Sequence, residues 1–295
     1  MSQNLNNVEG EFMINPERSQ KPEIEASAVA LTFPRPGVAL MRIASEPLGV
    51  LRIAVKRAMQ ETLAALESNP DVRCLVITGT GRAFSAGSDI RDFTTEAGWL
   101  LESEIVESDL NSALEHSTLP VIAACNGIAL GGGNVLALAC DLRIAAASAR
   151  FGFPEIKVGA LATGSCTQRL PRLVGRSRAL ELMLTGRILS AEQAEKYGLV
   201  EEVVPDDQLM DRALDLAAEI ADLPVMAVKA HKHLINLGLE QGYAAGLLEE
   251  WRLAVEVGQS HDAIEGQRAF LEKRPPVFSH QIKPDSETVG AEEGA

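Results

Sequence analysis

The stretch Leu119-Pro120-Val121-Ile122-Ala123-Ala124-Cys125-Asn126-Gly127-Ile128-Ala129-Leu130-Gly131-Gly132-Gly133-Asn134-Val135-Leu136-Ala137-Leu138-Ala139-Cys140 runs for 22 residues without a charge. Length alone would qualify it as a membrane span. Its middle, however, carries Asn126, Gly127, three consecutive glycines and Asn134. These breakers divide it into an apolar strand over 120–125, a glycine-rich turn and the opening of a helix, so a membrane span is not expected.

The same grammar continues on both sides. Upstream, AVALTF and VALMRI read as strands, and Leu51, Val55, Met59, Leu63 and Leu66 recur at helical spacing before the stop at Asn69-Pro70-Asp71. Cys74-Leu75-Val76-Ile77 is continuously apolar and ends in Thr78-Gly79-Thr80-Gly81, as a strand buried on both faces should. Downstream, 142–147 reads as a strand, Phe151-Gly152-Phe153-Pro154-Glu155 opens a loop, and a helix contains Thr167 to Leu173. From about Ala191 the chain is mainly helical, over 191–197, 206–221, 224–237 and 241–257, with one short strand at 199–204. The alternation predicts an α/β core over 27–205 followed by a helical subdomain over 206–278. Polar or acidic segments at 1–26 and 279–295 read as flexible tails.

The chain has 295 residues, and 27 Lys+Arg against 41 Asp+Glu leave a net charge of −14. A nucleic-acid partner held by bulk charge is therefore disfavoured. The four cysteines, Cys74, Cys125, Cys140 and Cys166, form no CxxC pair and mostly lie in apolar runs. They read as reduced and buried, which points to the cytoplasm. The five histidines show no metal spacing with a third ligand, and no GxSxG elbow is present. No metal or redox cofactor is expected.

Two loops exceed this background: Gly81-Arg82-Ala83-Phe84-Ser85-Ala86-Gly87-Ser88-Asp89-Ile90, and Asn126 to Asn134. Each follows a buried strand and precedes a helix, where free N–H groups at the helix start can meet an oxyanion. Two tight turns would look the same. Neither loop has the P-loop or GxGxxG spacing.

In order along the chain, GRAFSAGSDI, NGIALGGGNVLALACDLRIA, FGFPEIKVG followed by TQRLPRLVG, and AFLEKRPPVF resemble the enoyl-CoA hydratase/isomerase (crotonase) superfamily over about residues 28–278. The resemblance implies a spiral of repeated strand–strand–helix turns with a C-terminal helical region that trimerises, often into a dimer of trimers. It implies an acyl-CoA thioester substrate, with coenzyme A entering as part of that substrate. By position, the backbone N–H groups of Ser88 and Gly132 would form an oxyanion hole. Ala86, Arg82 and Arg91 would lie along the CoA site, with Phe270 and Lys273 completing it, frequently from a neighbouring subunit.

Hydratases of this family use two glutamates. Glu155 matches the second, but Val135 stands where the first is usual. Valine cannot transfer a proton, so double-bond isomerisation or lyase chemistry with Glu155 alone fits better than simple hydration. The loop 162–166 also lacks the usual Pro-Gly. The alternatives are retro-aldol cleavage of a beta-hydroxyacyl-CoA, a CoA-independent beta-diketone hydrolase, and a non-catalytic acyl-CoA-binding protein. Asn134, Thr163 and Ser165 read as loop polar residues, and Glu102, Glu104, Glu107 and Asp109 as the solvated face of an acidic helix.

Overall fold

The computed structural model describes residues 28–45 and 48–281. The expected tail at 1–26 and residues 282–295 of the one expected at 279–295 lie outside them, while Ser279 and His280 are tied down by donating to the Asp262 carboxylate. The 22-residue apolar run resolves into β5 (Val121–Cys125), β6 (Ile128–Leu130) and α3 (Gly132–Ala139). No described helix is long and apolar enough to cross a membrane.

The chain climbs through similar turns, each giving one strand to each of two sheets. The larger sheet contains β1 (Val29–Arg35), β2 (Val38–Ile43), β3 (Cys74–Gly79), β5, β7 (Leu142–Ala146) and β10 (Glu202–Val204), in the order β1-β2-β3-β5-β7-β10. Only β1 and β2 run antiparallel. The smaller sheet, β4-β6-β8-β9, is built from three-residue strands: β4 (Ala83–Ser85), β6, β8 (Arg150–Gly152) and β9 (Ile188–Ser190). Thus β3–β4, β5–β6 and β7–β8 are successive strand pairs, and helices α2 (Ala97–His116), α3 and α4 (Cys166–Val174) close the turns. This is a spiral of repeated strand–strand–helix turns, as the resemblance implies.

Period-two alternation divides the core. On β2, Ala39, Met41 and Ile43 face the main core with Val55, Met59 and Leu63 of α1 (Ile53–Glu67). Val38 and Leu40 face the other way, with Val76, Ile122 and Ile144, towards α7 (Leu209–Ala221). That helix presents Ala213, Ala217 and Ala221 at four-residue spacing, all fully buried, which lets it lie close on the sheet. The helices α5 (Arg176–Thr185) and α6 (Ala191–Tyr197) flank β9, one before it and one after. The chain ends in α8 (Val225–Gln241), α9 (Tyr243–Gly258) and α10 (His261–Glu272). The first two form a hairpin in which Gly246 meets the Gly238 backbone. Ile235, Leu239, Leu248, Trp251 and Val255 of this hairpin are largely exposed.

The close seat of α7 gives a test. Replacing Ala217 with Leu should overpack the α7–sheet contact and cost about 1–3 kcal/mol, read as a lower unfolding midpoint.

Candidate active site

The oxyanion-type loops meet because β4 and β6 are parallel neighbours, Ala83 opposite Ile128 and Ser85 opposite Ala129. Their C-terminal ends deliver Gly87-Ser88 and Gly131-Gly132 to one point. A Cβ on Gly87 would stand 2.7 Å from the Gly132 nitrogen, so the backbones touch there. The same construction on Gly132 lies 3.5 Å from the Ser88 nitrogen. As the first residue of α3, Gly132 has no intrahelical acceptor for its N–H. The Ser88 N–H has no acceptor among the described residues. The structure therefore brings together the two N–H groups singled out by the sequence, with the α3 dipole behind one of them.

Glu155 reaches this point from a 3-10 turn, Pro154–Val158, that follows β8. Its Oε1 lies 3.0 Å from the Cβ position of Gly131, and its Oε2 is buried with no hydrogen-bond partner among the described residues. Burial pushes its carboxyl above the ordinary value of 4.5, and the charge of Glu107 adds to the shift.

Glu107 requires a correction to the reading of the acidic helix. Glu102, Glu104 and Asp109 are exposed as expected, but Glu107 turns inward. It lies on the face of α2 that also buries Leu110, Asn111 and Leu114, at spacings of three, four and seven residues. Its Oε2 accepts a 2.5 Å hydrogen bond from Lys56 Nζ on α1. The Lys56 side chain is only 2% exposed and also donates to Ser88 Oγ at 3.2 Å. Glu107 Oε2 stands 3.5 Å from the Cβ position of Gly132. The site thus has two carboxylates, approaching consecutive glycines at the mouth of α3. Sequence reasoning missed both Lys56 and Glu107. The available signal was a lysine within the apolar stripe of α1, one residue after Val55 and three before Met59.

Val135 occupies α3 and is buried. Gly164, from the loop that departs from the family pattern, closes over it. A Cβ on Gly164 would come within 2.8 Å of Val135 Cγ1 and 2.9 Å of Glu107 Oε1, and its φ of +61° also favours glycine. Asn134 is not a loop residue: it is fully buried within α3, and neither amide atom has a partner among the described residues.

The expected CoA-binding residues are dispersed. Ala86 anchors its loop by donating from N to Leu48 O at 2.9 Å, and its carbonyl oxygen lies near Gly131. Arg82 is exposed at the loop mouth. Arg91 grips Asp89 through Nε at 2.9 Å and Nη2 at 2.6 Å, which holds that carboxyl well below the usual carboxylate range. Phe270 and Lys273 lie exposed at the end of α10.

A groove of about 830 Å³ opens between α2, α4 and α8, but none of Ser88, Glu107, Gly132 or Glu155 lines it. The reactive groups converge elsewhere, at the mouth of α3. Glu115, His116 and Glu240 bring possible metal-ligand atoms within 4.8 Å of one another, but two of the three residues are exposed. The 2.7 Å contact between His116 and Glu240 already accounts for that cluster.

The layered spiral brings two N–H groups that have no acceptor among the described residues beside two half-buried carboxylates, an arrangement able to stabilise an enolate and to move a proton. Comparisons with known proteins give the family. The chain matches the enoyl-CoA hydratase/isomerase family over residues 35–281. It is 38% identical over 239 residues to a protein of Mycobacterium tuberculosis named "Probable enoyl-CoA hydratase echA8", covering 80% of this chain and 91% of that one. It is 38% identical over 223 residues to the (E)-benzylidenesuccinyl-CoA hydratase of Thauera aromatica, covering 75% and 86% respectively. The crystal structure of an enoyl-CoA hydratase from Bacillus anthracis superposes with a TM-score of 0.83 at 36% identity, over 86% of this chain and 100% of that one. The chain belongs to the enoyl-CoA hydratase/isomerase (crotonase) superfamily. It is an acyl-CoA-processing enzyme of the hydratase/isomerase type.

The raised Glu155 value carries a stability signature. The folded protein holds this proton more tightly than the unfolded chain, so the stabilisation is complete below the ordinary value of 4.5 and is lost as pH rises through the higher folded value. Glu155→Gln cannot ionise. Its unfolding midpoint should therefore gain on that of the wild type as pH rises from about 4 to 8; a constant difference would show that the carboxyl does not titrate abnormally.

Proposed function

We propose that this enzyme moves protons at the α-carbon of an enoyl-CoA, with Glu155 as the proton carrier. The observation that carries the reading is the buried, unpartnered Oε2 of Glu155 beside the joined Ser88 and Gly132 N–H groups. The thioester oxygen accepts from these two N–H groups. As electrons move onto it, the preorganised donors and the α3 dipole stabilise the enolate, each donor lowering the barrier by about 3 kcal/mol. Burial raises the proton affinity of Glu155 above that of an ordinary carboxylate, which suits it to exchange a proton with a carbon acid.

Arg82 and Arg91 flank the loop mouth and supply positive charge towards the CoA phosphates, locally offsetting the acidic chain. Phe270 and Lys273 serve the site of a neighbouring subunit in a trimer or a dimer of trimers. Support for this comes from their exposure and from the apolar residues uncovered on the α8–α9 hairpin.

The test is mass spectrometry of products from enoyl-CoA thioesters in heavy-oxygen water. Hydration adds the heavy isotope at the β-carbon, whereas a double-bond shift gives a positional isomer without it. Glu155→Gln should lower turnover of either kind by about 10³-fold while leaving CoA-ligand affinity within a few-fold. Retained turnover would remove Glu155 from the mechanism.

A further inference from the structure

We propose that Glu107 is the second catalytic carboxylate, supplied by α2 in place of the α3 side chain that is valine here, and that it makes the enzyme a hydratase. This inference rests on the proposed enolate site and specifies its reaction.

The placement of Glu107 gives three reasons. First, its carboxylate and that of Glu155 stand beside the Cβ positions of Gly132 and Gly131, at 3.5 and 3.0 Å, so they border the same mouth of α3. Second, Glu107 Oε1 lies against the closing loop, 2.9 Å from the Cβ position of Gly164, where Val135 Cγ1 also packs at 2.8 Å. The carboxylate thus lies next to the side chain that replaces the usual glutamate. Third, Oε2 is committed to Lys56 and Ser88, whereas Oε1 accepts no hydrogen bond among the described residues. One oxygen is anchored and the other is free to accept from water.

Lys56 explains how a second carboxylate can lie so near an oxyanion hole. A bare anion there would oppose the developing enolate, because Coulomb repulsion is poorly screened at a buried site. The Lys56 ammonium offsets part of the Glu107 charge and ties the carboxylate through Ser88 Oγ to the loop that supplies the N–H donor. Lys56 is therefore a positioning residue.

The step balances as follows. The oxygen of water forms a bond to the β-carbon, and one of its protons passes to Glu107 Oε1. The π electrons of the double bond move to the α-carbon and the thioester oxygen. Protonated Glu155 then donates its proton to the α-carbon, leaving a 3-hydroxyacyl-CoA. Transfer of the proton from Glu107 to Glu155 through the next water restores both groups.

Two rates separate the roles: hydration of crotonyl-CoA, and exchange of α-protons of butyryl-CoA for deuterium. Exchange requires the N–H groups and Glu155 but no attacking water. Glu107→Gln should lower hydration by about 10²-fold more than exchange. Glu107→Asp keeps the charge opposite Lys56, so it guards against loss of folding, but withdraws the carboxylate by one methylene. It should show the same imbalance, reduced to about tenfold. Lys56→Gln should alter the pH profile of hydration more than that of exchange. Equal loss of both rates in Glu107→Asp, or hydration within threefold of wild type in either Glu107 variant, would overturn the proposal. A wild-type enzyme that neither exchanges nor hydrates would instead overturn the underlying enolate reading. A wild type that exchanges but does not hydrate would overturn only the role of Glu107.

Discussion

The site depends on a contact between two backbones. Because Gly87 and Gly132 carry no side chains, the loops leaving β4 and β6 approach until a Cβ on Gly87 would stand 2.7 Å from the Gly132 nitrogen. One helical position further on, a Cβ on Gly133 would collide with the Ser85 carbonyl oxygen. Parallel pairing of β4 with β6 sets the direction of the approach, and the missing Cβ atoms set its depth. The larger sheet and its helices hold those two short strands in register. The N–H pair is thus a property of packing over the whole spiral.

Electrostatics adds a second layer. Lys56, which is buried, and Glu107, which is partly buried, form an ion pair between α1 and α2, and pairs taken out of water repay their desolvation only when geometry and further hydrogen bonds are good. Here the further bond is to Ser88, within the site itself. Evidence for a functional reason to retain the pair therefore comes from its position, next to a carboxylate already raised by burial.

Much of the architecture was legible because buried parallel strands are continuously apolar. Cys74–Ile77 and Val121–Cys125 announce themselves, as does the α1 stripe. The smaller sheet was not legible: its strands have three residues each, and two of them lie inside the glycine-rich motifs. The helix α2 reads poorly because its inner face mixes Val106, Leu110 and Leu114 with Glu107 and Asn111. Ser88, Gly132 and Glu155 could be named because local motifs contain them. Glu107 could not, since its meaning comes from a lysine 51 residues away. The motif that ordinarily carries the first carboxylate contains valine, and composition alone does not reveal where a replacement comes from.

The uncharged run from Leu119 to Cys140 also affects how the chain is made. Its strand β5 pairs on one side with β3, which is synthesised earlier, and on the other with β7, which is synthesised later. Until Leu142–Ala146 leaves the ribosome, β5 presents an apolar edge with unpaired backbone groups. Slow translation between these strands prolongs exposure of a segment well suited to intermolecular pairing, whereas rapid delivery of β7 closes it. The glycines and asparagines that shape the oxyanion loop also interrupt this segment, limiting the length over which two nascent chains can zip together.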